Sequence, residues 1–167
     1  MVQQKTVSES KVQMVQVMFP PDANQAGNVH GGSIMKLIDT AAGIVATRHC
    51  RTNVVTASMD RLDFYEPVFI GELLILRAAI NYSGTTSIEV GVRVEAENLM
   101  TGNIRHTNSA YLTMVSLDKN RKPAIVPEIT PESGEEKRRF QEGKTRAQRR
   151  KELRAGYKKK KNNESSH

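Results

Sequence analysis

An aspartate inside a mostly apolar segment is the residue of this sequence whose chemistry most needs an explanation. Asp39 lies within residues 33–50 (SIMKLIDTAAGIVATRHC), where most side chains are apolar or small. A carboxylate in such a setting costs free energy unless a partner or hydrogen bonds stabilise it. Asp39 is therefore either a structural or dimer-contact group, or a general base or nucleophile in a reaction.

Small and polar residues just before this segment would suit a site for a negatively charged oxygen. Gly31 and Gly32 let a ligand approach the backbone closely, and the first amides of a helix point towards negative charge. One good donor stabilises an oxyanion by about 3 kcal/mol. The same glycines would also suit a tight turn. Asn24, in the preceding loop, is a common turn residue as well as a hydrogen-bond donor and acceptor.

Other reactive residue types lack the spacing that their chemistry requires. His30 and the His49–Cys50 pair have no third ligand at zinc-site spacing, so no metal is expected. No nucleophile elbow, phosphate-binding loop or dinucleotide fingerprint occurs, so no cofactor is expected either. Cys50, at the end of an apolar helix, is expected to be an unreactive buried thiol.

One helix and five strands must position the candidate residues. The apolar residues of Ser33–Arg48 leave almost no polar stripe, which predicts a helix surrounded by protein. Consecutive hairpins predict an antiparallel sheet against which this helix packs, an α+β fold. Residues 87–97 alternate like a strand with one buried face. The predicted strands, separated by turn-forming residues, are Val12–Phe19, Asn53–Phe64, Glu72–Tyr82, Ser87–Glu97 and Ile104–Leu117.

Charge divides the chain into a nearly neutral body and a basic end. Residues 1–133 carry 12 basic and 13 acidic side chains, whereas residues 134–167 carry 13 basic and 5 acidic ones. A body without excess positive charge argues against a nucleic-acid-binding face. We predict a domain over residues 1–131, an exposed basic helical extension over 132–155 and a disordered Lys-rich tail over 156–167.

Cysteine usage and hydropathy indicate where the protein works. A single cysteine excludes an internal disulfide and fits a reducing compartment. The first residues, MVQQKTVSESKVQMVQ, contain no apolar run suited to a signal peptide. No stretch approaches the roughly 20 apolar residues of a membrane span. We expect a soluble cytoplasmic protein that does not insert in membranes.

Four sequence segments resemble, in order and spacing, the hotdog-fold acyl-CoA thioesterases of the cytosolic acyl-CoA hydrolase type. They are PDANQAGNVHGGSIMKLIDTAAGIVATRHC, VVTASMDRLDF, PVFIGELL and YSGTTSIEVGV, and the resemblance covers residues 10–155. It implies a five- or six-stranded antiparallel sheet wrapped around the central helix. It also implies homodimers with a continuous sheet, assembled as trimers of dimers, that hydrolyse fatty acyl-CoA without a cofactor besides the coenzyme A of the substrate.

The resemblance also implies roles for individual residues. Asn24 and Asp39 would be the catalytic pair, one from each subunit of a dimer, with Asp39 as either general base or nucleophile. Gly31 and Gly32 would begin the helix that binds the thioester and stabilises its oxyanion. The residues implied in coenzyme A binding are Arg61, Thr86 and Ser87.

Two other classes of function remain open on the sequence alone. A non-catalytic acyl-CoA sensor would have the same fold but needs an effector domain, and no helix-turn-helix pattern flanks the core. A nucleic-acid-binding protein would use the basic tail and would bind tightly at physiological salt. A hotdog dehydratase is a nearer enzymatic alternative, but it would use a His–acid pair in place of Asn24 and Asp39.

Overall fold

The structure, a computed structural model, describes residues 4–164 and the side chains of residues 4–157. A five-stranded antiparallel sheet in the order β2-β4-β5-β6-β3 lies against one long helix, α1, so the predicted α+β fold is confirmed. Strands β2 and β3 are the sheet edges. The elements are β1 (Gln4–Thr6), β2 (Val12–Val17), a 3-10 turn (Pro20–Asp22), α1 (Gly31–Cys50), β3 (Asn53–Phe64), β4 (Leu73–Ser83), β5 (Ser87–Glu97), β6 (Ile104–Leu117), β7 (Glu128–Thr130) and α2 (Gly134–Glu164).

Helix α1 is longer than predicted at both ends. It begins at Gly31 because His30, in an extended conformation, is its N-cap. It ends at Cys50 because Arg51 adopts the left-handed region, with φ of 55°. The sequence predicts a shorter helix because a histidine N-cap and a left-handed arginine are uncommon end signals.

One side of α1 packs on the apolar side chains of the sheet. In β5 the apolar residues from Ile88 to Ala96 are buried at every second position, which confirms the predicted alternation. Burial of one large aliphatic side chain stabilises the fold by about 1.5–3 kcal/mol relative to exposure. The helix residues buried in this core are Ile34, Ile38, Ala41, Ala42, Val45 and Ala46.

The opposite side of α1 is open to solvent in a single chain. Met35 is 43% exposed and Ile44 is 39% exposed, and their separation of nine residues places them at opposite margins of this side. The prediction of a helix surrounded by protein is therefore wrong for one chain. The physical reason is that a single sheet layer covers only one side of a helix.

The C-terminal end of α1 is anchored by a small element that the sequence does not predict. Strands β1 and β7, of three residues each, form a parallel pair. Nearby, His49 is fully buried, its Nε2 donates to the Pro127 carbonyl (2.9 Å), and Lys5 Nζ donates to the His49 carbonyl (2.6 Å). Three-residue strands in polar and Pro-rich segments carry too little periodicity to be predicted.

Helix α2 packs across the outer face of the sheet, opposite α1. The Phe140 ring meets the Tyr82 ring edge to face, with 5.3 Å between centroids. The side chain of Glu89 in β5 is fully buried under α2, where Arg146 donates to it from Nη2 (2.7 Å) and Nε (3.1 Å). Arg150 also binds Glu89, at 3.1 Å. The prediction of a solvent-exposed helix is thus wrong for this part of α2, because Glu89 occupies a position that the strand alternation assigns to solvent.

Helix α2 also extends further than predicted. It continues to Glu164, so residues 156–164 are not the disordered segment that the sequence predicts. Lysine is a good helix former, and adding residues to an existing helix needs no new nucleation. The remaining residues of the predicted tail, 165–167, lie outside the described residues. Neither helix within residues 4–164 is long and apolar enough to cross a membrane.

The buried ion pair under α2 predicts a large cost for removing its main cation. Arg146→Met should lower the free energy of unfolding by about 3 kcal/mol, because it leaves the buried Glu89 carboxylate with a weaker set of partners. Arg138→Met is the matched control, since its pair with Glu142 on the same helix is exposed and should contribute less than about 0.5 kcal/mol. Urea unfolding followed by circular dichroism measures the unfolding free energy of both variants. Equal losses in the two variants would contradict a special contribution from the buried pair.

Buried His49 predicts a loss of stability on acidification. Burial lowers the pKa of His49 below its ordinary value, more than the hydrogen bond to Pro127 raises it. The unfolded chain therefore binds a proton at this residue below about pH 6.5, where the folded chain does not. His49→Gln should flatten the fall in unfolding free energy between about pH 7 and pH 5. Between pH 7 and pH 8 the difference in unfolding free energy between His49→Gln and wild type should stay constant. If the unfolding free energy of His49→Gln falls below about pH 6.5 as steeply as that of wild type, His49 does not have this role.

Candidate active site

Asn24 is held in a turn by its own side chain. Its Oδ1 accepts hydrogen bonds from the backbone amides of Ala26 (2.9 Å) and Asn28 (3.2 Å). Its backbone N–H donates to the Asn28 carbonyl at 2.7 Å. The oxygen of the side-chain amide is thus committed to the loop, and Nδ2 makes no hydrogen bond to a described residue. The sequence allows Asn24 to be a turn residue or a hydrogen-bond donor for a ligand. In the structure Oδ1 serves the turn, and Nδ2 is available as a donor.

The start of α1 offers fewer free amides than the sequence suggests. The Gly32 N–H donates to Nδ1 of His30 at 2.9 Å, so the N-cap residue already satisfies it. A Cβ at Gly32 would lie 3.0 Å from the same ring nitrogen, which explains why a glycine suits this position. The Gly31 N–H bonds to no described group. Of the two glycine amides predicted to bind an oxyanion, Gly31 is the one available in this conformation.

Asp39 lies on the open side of α1, next to the edge strand β3. It is exposed, contrary to the burial that its apolar segment predicts. Thr56 in β3 donates from Oγ1 to Asp39 Oδ1 at 2.6 Å, which fixes one carboxylate oxygen. The other, Oδ2, bonds to no described residue. The sequence does not point to Thr56, because a threonine in a Thr- and Val-rich strand has no distinguishing pattern.

The two predicted catalytic residues lie far apart within one chain. Asn24 belongs to the loop that leads into the start of α1, whereas Asp39 follows Gly31 by eight residues. A helix rises about 1.5 Å per residue, so Asp39 lies about 12 Å along the axis from the helix start. The structure therefore places Asn24 in the turn that leads to α1 and joins Asp39 to Thr56, but it does not bring Asn24 and Asp39 together within one chain.

An unpaired sheet edge runs beside Asp39. Strand β3 pairs with β6 on one side and forms the sheet edge on the other. Thr56 faces Asp39, so the adjacent Val55, 43% exposed, points to the opposite face of the sheet. Phe64, 50% exposed, lies at the far end of β3 against Gly31. What β3 offers a partner is therefore its unpaired backbone edge.

The residues implied in coenzyme A binding are dispersed. Arg61 in β3 is exposed and pairs with Asp63 at 2.5 Å, and this carboxylate raises the pKa of Arg61. Thr86 lies in the β4–β5 turn and Ser87 is the first residue of β5, at the end of the sheet away from the start of α1. The Gly84 N–H donates to Ser87 O there (2.8 Å). One chain does not bring these residues together with Asn24, so their role remains a prediction.

Two further features bear on the alternatives that the sequence leaves open. Burial raises the pKa of the Cys50 thiol to about 11, which agrees with an unreactive cysteine. A cavity of about 660 Å³ lies between α2 and the outer face of the sheet, lined by Arg93 and Arg146 among others. It is on the side of the sheet opposite Asp39 and does not contain the candidate catalytic residues.

Comparison with known sequences identifies relatives of this chain. A model of the thioesterase superfamily matches residues 26–103. A protein named as an uncharacterised acyl-CoA thioester hydrolase of Bacillus subtilis is 44% identical over 128 residues, 77% of this chain and 74% of the relative. The cytosolic acyl coenzyme A thioester hydrolase of Rattus norvegicus is 39% identical over 154 residues, 91% of this chain. This chain spans only 40% of that relative's length.

Solved structures show the same fold. A hexameric acyl-CoA thioesterase, solved without ligand, has a TM-score of 0.88 at 37% identity and covers 92% of this chain and 99% of its own. The acyl-CoA hydrolase of Staphylococcus aureus, in complex with butyryl coenzyme A, coenzyme A and coenzyme A disulfide, has a TM-score of 0.86 at 36% identity, over 94% of this chain and 96% of its own.

The Staphylococcus aureus enzyme has also been solved as three single alanine variants, of an Asn, an Asp and a Thr. The replaced Asn and Asp are 15 residues apart, and the Asp and Thr are 17 apart. Asn24, Asp39 and Thr56 have the same separations. Sequence identity, coverage and fold thus agree, and the chain belongs to the thioesterase superfamily, among its hotdog-fold acyl-CoA thioester hydrolases.

Proposed function

We propose that this protein hydrolyses fatty acyl-CoA thioesters to a carboxylic acid and free coenzyme A, with Asp39 as general base. The observation that carries the proposal is the 2.6 Å hydrogen bond from Thr56, which orients Asp39 and leaves its second oxygen free. The names of the relatives support the substrate class. The matching separations of the variant positions in the Staphylococcus aureus enzyme support the choice of Asn24, Asp39 and Thr56.

In this proposal the start of α1 binds the thioester carbonyl. The Gly31 N–H and Asn24 Nδ2 donate to its oxygen, and they bind the negative oxygen of the tetrahedral intermediate more strongly than the neutral carbonyl. Such a donor contributes about 3 kcal/mol to lowering the barrier. Asp39 takes a proton from a water molecule, whose oxygen attacks the carbonyl carbon. The C–S bond then breaks, and coenzyme A leaves as a thiolate that takes up a proton. The reaction uses no cofactor, so a chelator should not change its rate.

The complete site needs two copies of the chain. Asp39 lies about 12 Å along the helix axis from the start of its own α1, which is too far for one carbonyl to contact both. Pairing the free edges of β3 about a two-fold axis would cover the flank of α1 that carries Met35 and Asp39. It would also bring the start of one α1 towards Asp39 of the other copy. We therefore propose a homodimer with a continuous sheet, three of which assemble into a hexamer.

Removal of the Asp39 charge should abolish most of the activity. Asp39→Asn keeps the side-chain shape and the contact with Thr56, and its turnover should fall at least about 100-fold, the usual size of a general-base contribution. The measurement is thiol release across acyl-CoA substrates from acetyl to palmitoyl. Asp118→Asn, the same change in a turn after β6, is the control and should keep wild-type turnover. Near-normal turnover in folded Asp39→Asn would exclude Asp39 as the base.

A single turnover in ¹⁸O-labelled water tests whether Asp39 forms an anhydride that water opens on the aspartyl side. A general base directs the labelled water onto the substrate, so the released acid should carry the label. A nucleophile would form an anhydride, and water attacking its Asp39 side would leave the label on the protein instead. Label on Asp39 would therefore replace the general-base role with the covalent one.

The shared site predicts recovery of activity when two inactive variants are mixed. Asn24→Asp keeps the Oδ1 acceptor of the loop but removes the Nδ2 donor, and Asp39→Asn removes the base. Each homodimer should be inactive, whereas a mixed dimer has one site with both lesions and one intact site. Random mixing makes about half of the dimers mixed, so activity should recover to about a quarter of wild type. If mass spectrometry confirms mixed dimers and activity stays at the single-variant level, each site belongs to one chain.

A further inference from the structure

A buried ion pair lies at the same end of the sheet as the start of α1. Glu72, just before β4, is 5% exposed, and Arg105 in β6 donates to both of its oxygens, at 2.6 and 2.7 Å. Burial alone would raise the pKa of Glu72, but hydrogen bonds from Arg105 and from the Phe69 amide lower it overall. Glu72 is therefore an ionised carboxylate, with Arg105 bound to both oxygens and the Phe69 N–H bound to Oε2.

This pair holds the loop between β3 and β4. Arg105 Nη2 also donates to the Pro67 carbonyl at 2.7 Å, and its guanidinium lies over the Phe69 ring, 5.3 Å from the centroid. The Phe69 N–H donates to Glu72 at 2.9 Å. The two charged side chains thus bind the loop backbone at two points, residues 67 and 69. A guanidinium–carboxylate fork of this kind accepts a narrow range of geometries.

The loop in turn holds the segment that carries Asn24. The Val29 N–H donates to the Val68 carbonyl at 2.8 Å, and Asn28 forms an antiparallel bridge with Phe69. Val68 and Val29 are both buried. Asn28 closes the Asn24 turn, and Val29 is followed directly by the N-cap of α1. The contacts therefore lead from the ion pair, through Val68 and Phe69 of the loop, to the segment that carries both proposed oxyanion donors, Asn24 and Gly31.

We propose that Glu72 and Arg105 are positioning residues for hydrolysis, because they fix the loop against which the Asn24 turn and the start of α1 are placed. The pair touches neither Asn24 nor Asp39, so it acts through the loop backbone. This inference rests on the proposed function for its effect on turnover. Its effect on the Asn24 turn is independent of that function.

The chain offers a matched control for this pair. Glu89 is also a buried carboxylate that an arginine, Arg146, binds through two nitrogens, with Arg150 as a second cation, but it lies on the outer face under α2. Glu72→Gln and Glu89→Gln therefore make the same chemical change in similar burial. Both should destabilise the protein, and only the first should disturb the Asn24 turn.

The experiment measures kcat, KM and amide exchange for both variants and for Arg105→Lys, which keeps the charge but loses the fork. Glu72→Gln should lower kcat at least about tenfold, since small displacements of reacting groups have effects of up to about 100-fold. KM should change less than kcat. Exchange at the Val29 amide should rise about tenfold relative to core amides of β4. The kcat and the Val29 exchange rate of Arg105→Lys should lie between those of Glu72→Gln and wild type. Both quantities in Glu89→Gln should stay within about twofold of wild type.

The outcomes separate failure of this inference from failure of the proposed function. Wild-type kcat in folded Glu72→Gln, or an equal loss in Glu89→Gln, would overturn the positioning role. If the wild-type protein releases no thiol, the proposed function fails. Amide exchange at Val29 then still tests whether Glu72 and Arg105 hold the β3–β4 loop against the Asn24 turn. An unchanged exchange rate at Val29 in Glu72→Gln would overturn that role.

Discussion

The sheet of a single chain covers only one side of α1, and Asp39 lies at a margin of the uncovered side. Met35, one turn earlier on the same face, is 43% exposed, whereas the middle of the uncovered side is polar, with Lys36, Thr40 and Thr47 exposed. The unpaired edge of β3 runs alongside and supplies Thr56 to Asp39. In the proposed dimer, the edge that pairs with the partner strand is therefore also the edge beside the candidate base, so assembly and activity depend on the same contact.

The rigidity of α1 explains why local movement within one chain cannot replace that partner. The His30 ring caps the first turn, and Pro127 and Lys5 hold the last turn through His49. A helix anchored at both ends keeps its rise per residue, so the about 12 Å between its start and Asp39 is constant. Only a second helix running in the opposite direction can place a helix start beside Asp39.

The sequence predicts those parts of the molecule whose side chains repeat with a regular period. The alternation in Ser87–Glu97 gives correct strand bounds, and Asp39 stands out because a carboxylate is unusual in an apolar segment. Asn24 is a common turn residue in its loop, and only the family resemblance indicates its role. Thr56 carries no such signal, because its role depends on a neighbour 17 residues away in the sequence. The sequence likewise does not predict the capping of Gly32 by His30 or the burial of Glu89 by α2. Both contacts depend on how segments outside the sheet pack against the core.

The two buried glutamates show how this fold places its irregular segments. Segments outside the sheet lack a ladder of backbone hydrogen bonds, so their positions depend on side chains. Glu72 holds the β3–β4 loop through Arg105, and Glu89 holds α2 through Arg146. A buried ion pair adds little stability compared with apolar packing, but its paired hydrogen bonds admit only a narrow range of geometries. We infer that these pairs are kept for placement rather than stability, and the Glu72 pair is the one that lies next to the proposed chemistry.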